Sequence, residues 1–182
     1  RQVPARVHPL TSRAGRAPFL RARGAVPPIM VEVDPPKDLD VEKLLDRCMK
    51  LRDAGVEAIT IGDSPLAIQR MSGLAFGKRV QEATGLPAIL HLACRDRNSI
   101  GLQGYVMGAH ALGIDSVLAL TGDPAKIGNQ PGATSVYDMN SFALVEMIDG
   151  LNKGRNLLGE PMDRPTEFSI GVAFNPNGRG FS

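Results

Sequence analysis

The sequence lacks tryptophan, has only eight aromatic residues and contains two cysteines that stand 46 positions apart. So few aromatic side chains, at a net charge of +2, argue against nucleic acid as a main partner, because its recognition needs stacking surfaces and a basic face. Two isolated cysteines form neither a disulfide framework nor a metal-binding knuckle, a usage that fits the reducing cytoplasm. No apolar run approaches the roughly 20 residues that span a bilayer, so we expect no membrane-spanning segment.

The common nucleotide and hydrolase motifs are also missing. The sequence contains neither GxGxxG nor GxxxxGK[ST], so a Rossmann phosphate site and a P-loop are both unavailable. It has no G-x-S-x-G turn to support a Ser-His-Asp hydrolase. The three histidines, His8, His91 and His110, stand without the close partners of a zinc site. Any nucleotide must therefore be bound in another way.

The composition is that of a globular domain with a basic N-terminal segment. Of the 182 residues, 43% are hydrophobic and 22% charged, which suffices for one packed core. Residues 1–31 hold six of the 21 Lys and Arg residues and no acidic residue, which leaves 15 basic against 19 acidic residues after them, a net charge of −4. Five prolines lie among residues 1–28. We predict a linker or the trimmed end of a preceding domain over 1–28, and the folded domain over 29–182.

Short apolar segments alternate with helical patterns along this domain. The apolar segments begin near residues 29, 57, 88, 116 and 168, and helices are predicted over 40–54, 64–84, 98–113 and 141–152. Spacings of about 30 residues are typical of consecutive βα units on a parallel sheet. The pattern therefore predicts an α/β fold of the (β/α)8 TIM-barrel type, here the first five βα units, with a doubly wound sheet as the alternative.

Each predicted strand ends in polar residues or an aromatic one. These ends converge on one face of a parallel α/β fold, where binding and catalytic groups lie. Taken singly, each residue has a structural explanation: a turn cap, a core histidine, or a surface ion pair such as Arg95 with Asp96. Their occurrence on all five strands favours a functional face. The candidates at these ends are Glu32, Asp34, Asp63, His91, Thr121, Gly122, Asp123 and Phe174.

Glu32 is the most unusual of these residues, because it lies between Val31 and Val33 inside an apolar strand. We expect burial to raise its pKa, which would suit the carboxyl group to donating a proton to a leaving nitrogen or oxygen. The alternative is a structural ion pair with an arginine such as Arg95.

A long loop over residues 121–140 carries several glycines and hydroxyl side chains. A loop of this length between regular elements is usually a binding loop. Its glycines would let main-chain amides approach a phosphate or the edge of a ring.

Three motifs occur in a characteristic order: Val-Glu32-Val-Asp-Pro-Pro, His91-Leu-Ala-Cys-Arg-Asp-Arg-Asn and Leu-Thr-Gly-Asp123-Pro. With them the chain resembles the methylenetetrahydrofolate reductase family over about residues 29–178. The greatest similarity is to the reductase part of bacterial bifunctional proteins that also carry a homocysteine methyltransferase domain. The resemblance implies a (β/α)8 barrel that binds FAD without a Rossmann fold. It also implies that NAD(P)H supplies the hydride that reduces 5,10-methylenetetrahydrofolate to 5-methyltetrahydrofolate, in cytoplasmic one-carbon and methionine metabolism.

The resemblance also implies roles for individual residues. Glu32 matches the general acid that protonates the folate nitrogen, and Asp123 matches the acid that lies between flavin and pterin. The flavin contacts that it implies are Asp63, His91, Thr121, Gly122, Asp123, Asn140, Ser141 and Phe174.

Two other functions remain open at this point. Strand-end carboxylates such as Glu32, Asp63 and Asp123 could hold Mg2+ in a metal-dependent barrel lyase or aldolase. Alternatively, the chain could be a non-catalytic partial barrel whose open sheet edges need a partner, either a second copy or the remainder of the barrel.

Overall fold

The computed structural model describes residues 27–174 together with Phe19, so the predicted linker over 1–28 lies almost entirely outside the described residues. Strands and helices alternate along the described chain. In order they are β1 (Met30–Val33), α1 (Glu42–Asp53), β2 (Ala58–Ile61), α2 (Gly73–Thr84), β3 (Ala88–Ala93), α3 (Ser99–Ala111), β4 (Ser116–Leu120), α4 (Ser141–Asn152) and β5 (Ser169–Val172).

The five strands form one parallel sheet in the order β1-β2-β3-β4-β5. Right-handed crossovers between strands in unbroken sequential order place all the connecting helices on the same face of the sheet. A doubly wound sheet instead reverses its strand order and has helices on both faces. The sheet therefore confirms the predicted α/β fold with consecutive units of a (β/α)8 barrel and excludes the doubly wound alternative.

The core lies between the sheet and its helices. One set of alternating strand residues packs against the apolar sides of α2, α3 and α4. The largest buried side chains of this layer are Ile59, Ile61, Phe76, Val80, Leu90, Leu92, Leu102, Ile114, Leu144, Ile148, Leu151 and Phe168. The other set points to the opposite face. Within residues 27–174, no helix has the length and apolar character needed to cross a bilayer.

One predicted helix begins in the wrong place. The Ser64-Pro65 pair predicted the start of a helix running to residue 84, whereas α2 begins only at Gly73. Ser64 and Leu66 have positive φ angles of 48° and 55°, which L-residues adopt singly and not in a right-handed helix. Residues Pro65–Ala67 consequently form one short 3-10 turn.

Candidate active site

His91 lies at the centre of the sheet face that the helices leave uncovered. Strand register pairs Glu32 with Thr60, Thr60 with Ile89, and His91 with Leu118, so these side chains share one face. Burial lowers the pKa of His91, while the carboxylates of Glu32, Asp63 and Asp34 act in the opposite direction. Polar groups from the first three strands are thus brought together, as their positions at the strand ends predicted.

Glu32 is exposed, so the expectation of a buried carboxyl group is wrong. The reason is that β1 is the edge strand of the described sheet, so no further strand encloses its outer side. Arg95 does not pair with Glu32 either, since its guanidinium binds Asp96. Glu32 instead lines an open groove of about 660 Å3 between β1 and α1.

The loops after β1 and β2 are joined through Arg70. Its Nη2 forms an ion pair with Asp34 Oδ2 at 3.0 Å, and its Nη1 donates to the Pro35 carbonyl at 3.0 Å. Asp34 also approaches Gly62 so closely that a Cβ at position 62 would lie 2.6 Å from Asp34 Oδ1. The glycine at the end of β2 therefore leaves room for the Asp34 carboxylate.

The Asp63 carboxylate accepts hydrogen bonds from a side chain and a main-chain amide of the segment around β3. Arg97 binds its two carboxylate oxygens at 2.7 and 3.1 Å, and the Ala93 amide donates to Oδ2 at 2.9 Å. The Asp63 side chain is only 6% exposed, and the Arg97 guanidinium lies 4.4 Å from the centre of the Tyr105 ring. Asp63 thus holds the loop after β2 against β3, and its predicted flavin contact remains a prediction.

Two hydroxyl side chains that are 20 positions apart in sequence meet at the end of β4. The Ser141 amide donates to Thr121 Oγ1 at 3.1 Å, and Thr121 Oγ1 donates to Ser141 Oγ at 3.3 Å. Asn140 caps α4, because its Oδ1 accepts a hydrogen bond from the Ala143 amide at 3.0 Å. Three of the residues predicted to contact the flavin therefore lie at the start of one helix.

The Asp123 carboxylate is exposed and makes no hydrogen bond or ion pair with a described residue. Its main chain is nevertheless held in place, since Arg95 Nη1 donates to the Asp123 carbonyl at 3.3 Å. Gly122, which precedes it, has a φ of 87° and would bring a Cβ within 2.9 Å of the Ala93 Cβ. Phe174 lies beyond β5 and is 70% exposed.

The long loop between β4 and α4 is docked on the end of β3. The Val136 amide donates to the Arg95 carbonyl at 2.7 Å, and the Tyr137 amide to the Cys94 carbonyl at 3.2 Å. The Tyr137 hydroxyl donates a hydrogen bond to the Gly122 carbonyl at 3.0 Å, near the start of the same loop. These bonds hold the loop over the carboxyl ends of the strands, which is the position that a binding loop requires.

The ion pair of Arg95 with Asp96 that the sequence suggested is present, but it is not a surface pair, because the Arg95 side chain is only 2% exposed. Sequence reasoning missed the burial of Arg95, and the signal for it is a charged residue two positions after the buried strand β3. Tyr137 was missed as well, because nothing in the sequence of the loop shows where its end is attached.

The metal-dependent alternative lacks a ligand set in the part of the chain that the structure describes. Between residues 27 and 174, no group of three or more His, Cys, Asp or Glu residues is placed to hold a metal ion. Asp63, one of the three carboxylates considered for Mg2+, forms an ion pair with Arg97 instead.

A parallel sheet in sequential order, with polar groups gathered at its carboxyl ends, is the architecture of the (β/α)8-barrel class. Residues 21–180 match the methylenetetrahydrofolate reductase family. The chain therefore belongs to that family, which confirms the resemblance seen in the sequence. The more specific similarity to the bifunctional bacterial proteins remains a prediction.

Comparison with curated proteins finds no match. Among solved structures, the carboxyl transferase domain of Rhizobium etli pyruvate carboxylase with pyruvate is 23% identical, with a TM-score of 0.38 over 50% of this chain and 16% of that one. A mandelate oxidase mutant with the C4a-OH-FMN adduct is 14% identical, with a TM-score of 0.39 over 73% of this chain and 42% of that one. The chain thus spans less than half the length of either protein.

Proposed function

We propose that the protein reduces 5,10-methylenetetrahydrofolate to 5-methyltetrahydrofolate, with FAD as the cofactor and NAD(P)H as the source of hydride. The observation that carries the proposal is membership of the methylenetetrahydrofolate reductase family over residues 21–180. The proposal is supported by the location of Glu32, His91 and Asp123 at or near the carboxyl ends of their strands.

The donor set at these strand ends fits a flavin. The Thr121 and Ser141 hydroxyls lie side by side at the N-terminus of α4, where main-chain amides favour anionic groups. Together with His91, Gly122 and Asn140 they would hold the cofactor, and the resemblance adds Asp63, Asp123 and Phe174. When bound, the flavin supplies the site that accepts a hydride from NAD(P)H and passes it on.

Glu32 is assigned as the general acid for the folate substrate. Its carboxyl group is exposed and makes no hydrogen bond to a described residue, which supports a role in binding a substrate nitrogen. Protonating the folate nitrogen opens the five-membered ring and leaves an iminium cation.

Asp123 is assigned to stabilising that cation. Its carboxylate is exposed, and no cation among the described residues neutralises its negative charge. A fixed charge of this kind stabilises positive charge that develops on the substrate in the transition state.

The proposal is tested by following the visible spectrum of the purified protein without oxygen. We expect flavin absorption near about 450 nm, bleaching by NADH or NADPH, and recovery of the absorption on addition of 5,10-methylenetetrahydrofolate. Turnover should persist in EDTA, which separates this function from that of a metal-dependent lyase. A protein that binds no flavin after incubation with FAD, or whose reduced flavin does not respond to the folate, would contradict the proposal.

A further inference from the structure

Arg95 is a buried cation at the end of β3 whose charge is balanced locally. It is 2% exposed, while its partner Asp96 is 43% exposed. Nε donates to Asp96 Oδ1 at 2.8 Å and Nη2 to Asp96 Oδ2 at 2.7 Å, a two-point arrangement. The hydrogen bond to Asp96 raises the pKa of Arg95 against the opposing effect of burial. The pairing with Asp96 allows a full charge to remain in the interior.

The guanidinium also binds main-chain carbonyls of two other loops. Nη2 already donates one hydrogen to Asp96, and its other hydrogen is shared between the carbonyls of Asp63 at 3.2 Å and Ser64 at 3.1 Å, both after β2. Nη1 donates to the carbonyl of Asp123 at 3.3 Å, after β4. One side chain from the segment just after β3 therefore links the loops that follow β2 and β4. A lysine could not do this, because its single ammonium group lacks the planar spread of donors.

The main chain of residues 94 and 95 binds a third segment, the far end of the loop between β4 and α4. The Arg95 carbonyl accepts a hydrogen bond from the Val136 amide, and the neighbouring Cys94 carbonyl accepts one from Tyr137. These bonds attach the far end of the loop that begins at Thr121. Both ends of the 121–140 loop are thus fixed to residues 94 and 95.

The turn after β2 needs external support. Ser64, Leu66 and Ala67 have φ angles of 48°, 55° and 54°, and none of them is glycine. L-residues adopt this region rarely and keep it only where surrounding contacts impose it. The bond from Arg95 to the Ser64 carbonyl is one such contact, and it lies within the strained segment itself.

We propose that Arg95 is a positioning residue that sets the Asp123 main chain and the Ser64–Ala67 turn at fixed places relative to β3. This inference deepens the proposed function, because the position of Asp123 matters for flavin and folate only if the protein is that reductase. Arg95 itself is buried and acts through the loops that it holds. Its loss should therefore lower kcat more than it raises KM, since Asp123 acts on the transition state.

The test compares Arg95→Lys and Arg95→Gln with Arg79→Gln, which removes an exposed arginine of α2 that pairs with Glu42. Amide hydrogen exchange is measured first, because it needs no cofactor. We expect exchange at Val136 and Tyr137 to rise about tenfold or more in both Arg95 variants, with β3 and α3 still protected. Arg79→Gln should keep the exchange of the unaltered protein.

Kinetics and the flavin potential complete the test. We expect Arg95→Lys to bind flavin but to show an altered midpoint potential and a kcat at least about tenfold lower, with KM changed much less. Unchanged exchange and kcat in both Arg95 variants would overturn the proposal. So would uniformly faster exchange throughout the protein, or failure of both variants to fold, because either result indicates a purely structural role. If the unaltered protein binds no flavin, the proposed function fails, while loop exchange still decides whether Arg95 fixes these loops.

Discussion

Asp123 combines an exposed carboxylate, which has no partner among residues 27–174, with a main chain held by Arg95. Replacing it by asparagine keeps the shape and removes the charge. Because a nearby carboxylate opposes the negative charge of a reduced flavin, we predict that Asp123→Asn raises the flavin midpoint potential by about 30 mV, which is about 1.4 kcal/mol for a two-electron couple. Folate reduction should fall by about 100-fold through loss of charge stabilisation.

Spectroelectrochemistry and steady-state folate turnover measure the two effects of Asp123→Asn together. Asp53→Asn, at an exposed position of α1, is the matched control and should change neither. An Asp123→Asn protein with bound flavin, unchanged potential and full turnover would show that Asp123 serves only the turn before Pro124.

His91 gives the site a pH dependence that can be measured without a substrate. Burial lowers the pKa of His91 in the folded protein below the ordinary value of 6.5. As the pH falls, His91 therefore takes up a proton in the unfolded chain at a higher pH than in the folded protein. The stability contributed by neutral His91 is complete above pH 6.5 and declines as the pH falls toward the folded-state pKa. We predict a shallower loss of stability between about pH 7.5 and pH 5.5 in His91→Gln. The free energy of unfolding, measured with urea at several pH values, tests this prediction. An equal dependence of that free energy on pH in the two proteins would refute it.

The loops after β2 and β4 touch at Gly128. A Cβ at position 128 would lie 1.9 Å from the Ala67 carbonyl oxygen, a main-chain atom that cannot turn aside. The same contact is supported by the Gln69 amide, which donates to Asn129 Oδ1 at 2.9 Å. We predict that Gly128→Ala separates the two loops and lowers the free energy of unfolding by about 1–3 kcal/mol, the usual effect of overpacking.

Gly132→Ala is the matched control for this contact. Gly132 lies in the same loop, and a Cβ there would meet nothing within 4 Å. Urea denaturation should show a loss of stability for Gly128→Ala alone, accompanied by faster exchange of the Gln69 amide. Equal stability of the two variants would mean that the loops do not depend on each other.

The sequence predicted most of the regular elements, because apolar periodicity reports which residues face the core. The predicted bounds of β3, β4 and α4 agree with the structure. The predicted start of α2 was wrong, because Ser64-Pro65 is a good helix start by composition but Ser64 adopts a left-handed conformation. Arg95, from the segment after β3, donates to the Ser64 carbonyl, and a local sequence pattern does not contain such a contact.

The proximity of several candidate residues was predictable from the sequence, but their environment was not. Strand-end positions brought Glu32, Asp63 and His91 together because parallel strands converge at one end. The exposure of Glu32 was not foreseen, because an apolar strand sequence does not show whether the strand lies at the edge of a sheet. The role of Arg95 depends on three loops meeting in space, and no single motif encodes such a meeting.

The sheet as a whole leaves two edges, since among residues 27–174 β1 and β5 each have a partner strand on one side only. The β1 edge adjoins the open groove that the apolar residues Val31, Val33, Leu44 and Leu51 help to line. Unpaired backbone groups beside apolar surface recruit other strands. We predict that the 182-residue chain forms dimers or larger species in sedimentation velocity, and that Met30→Lys, a charge added to β1, shifts it toward monomer. A single monomeric species with cooperative unfolding would contradict this.

The most direct test of the proposed reductase is to measure its two half-reactions separately in Glu32→Gln. An amide keeps the shape of the carboxyl group but has no proton to transfer, so flavin reduction by NAD(P)H should remain normal while oxidation by 5,10-methylenetetrahydrofolate falls by about 100-fold or more. Glu42→Gln, at an exposed position of α1, should leave both half-reactions unchanged. Stopped-flow absorbance follows each step. Impaired flavin reduction by NAD(P)H in Glu32→Gln, or undiminished oxidation by the folate, would contradict the assignment of Glu32 as the acid that opens the folate ring.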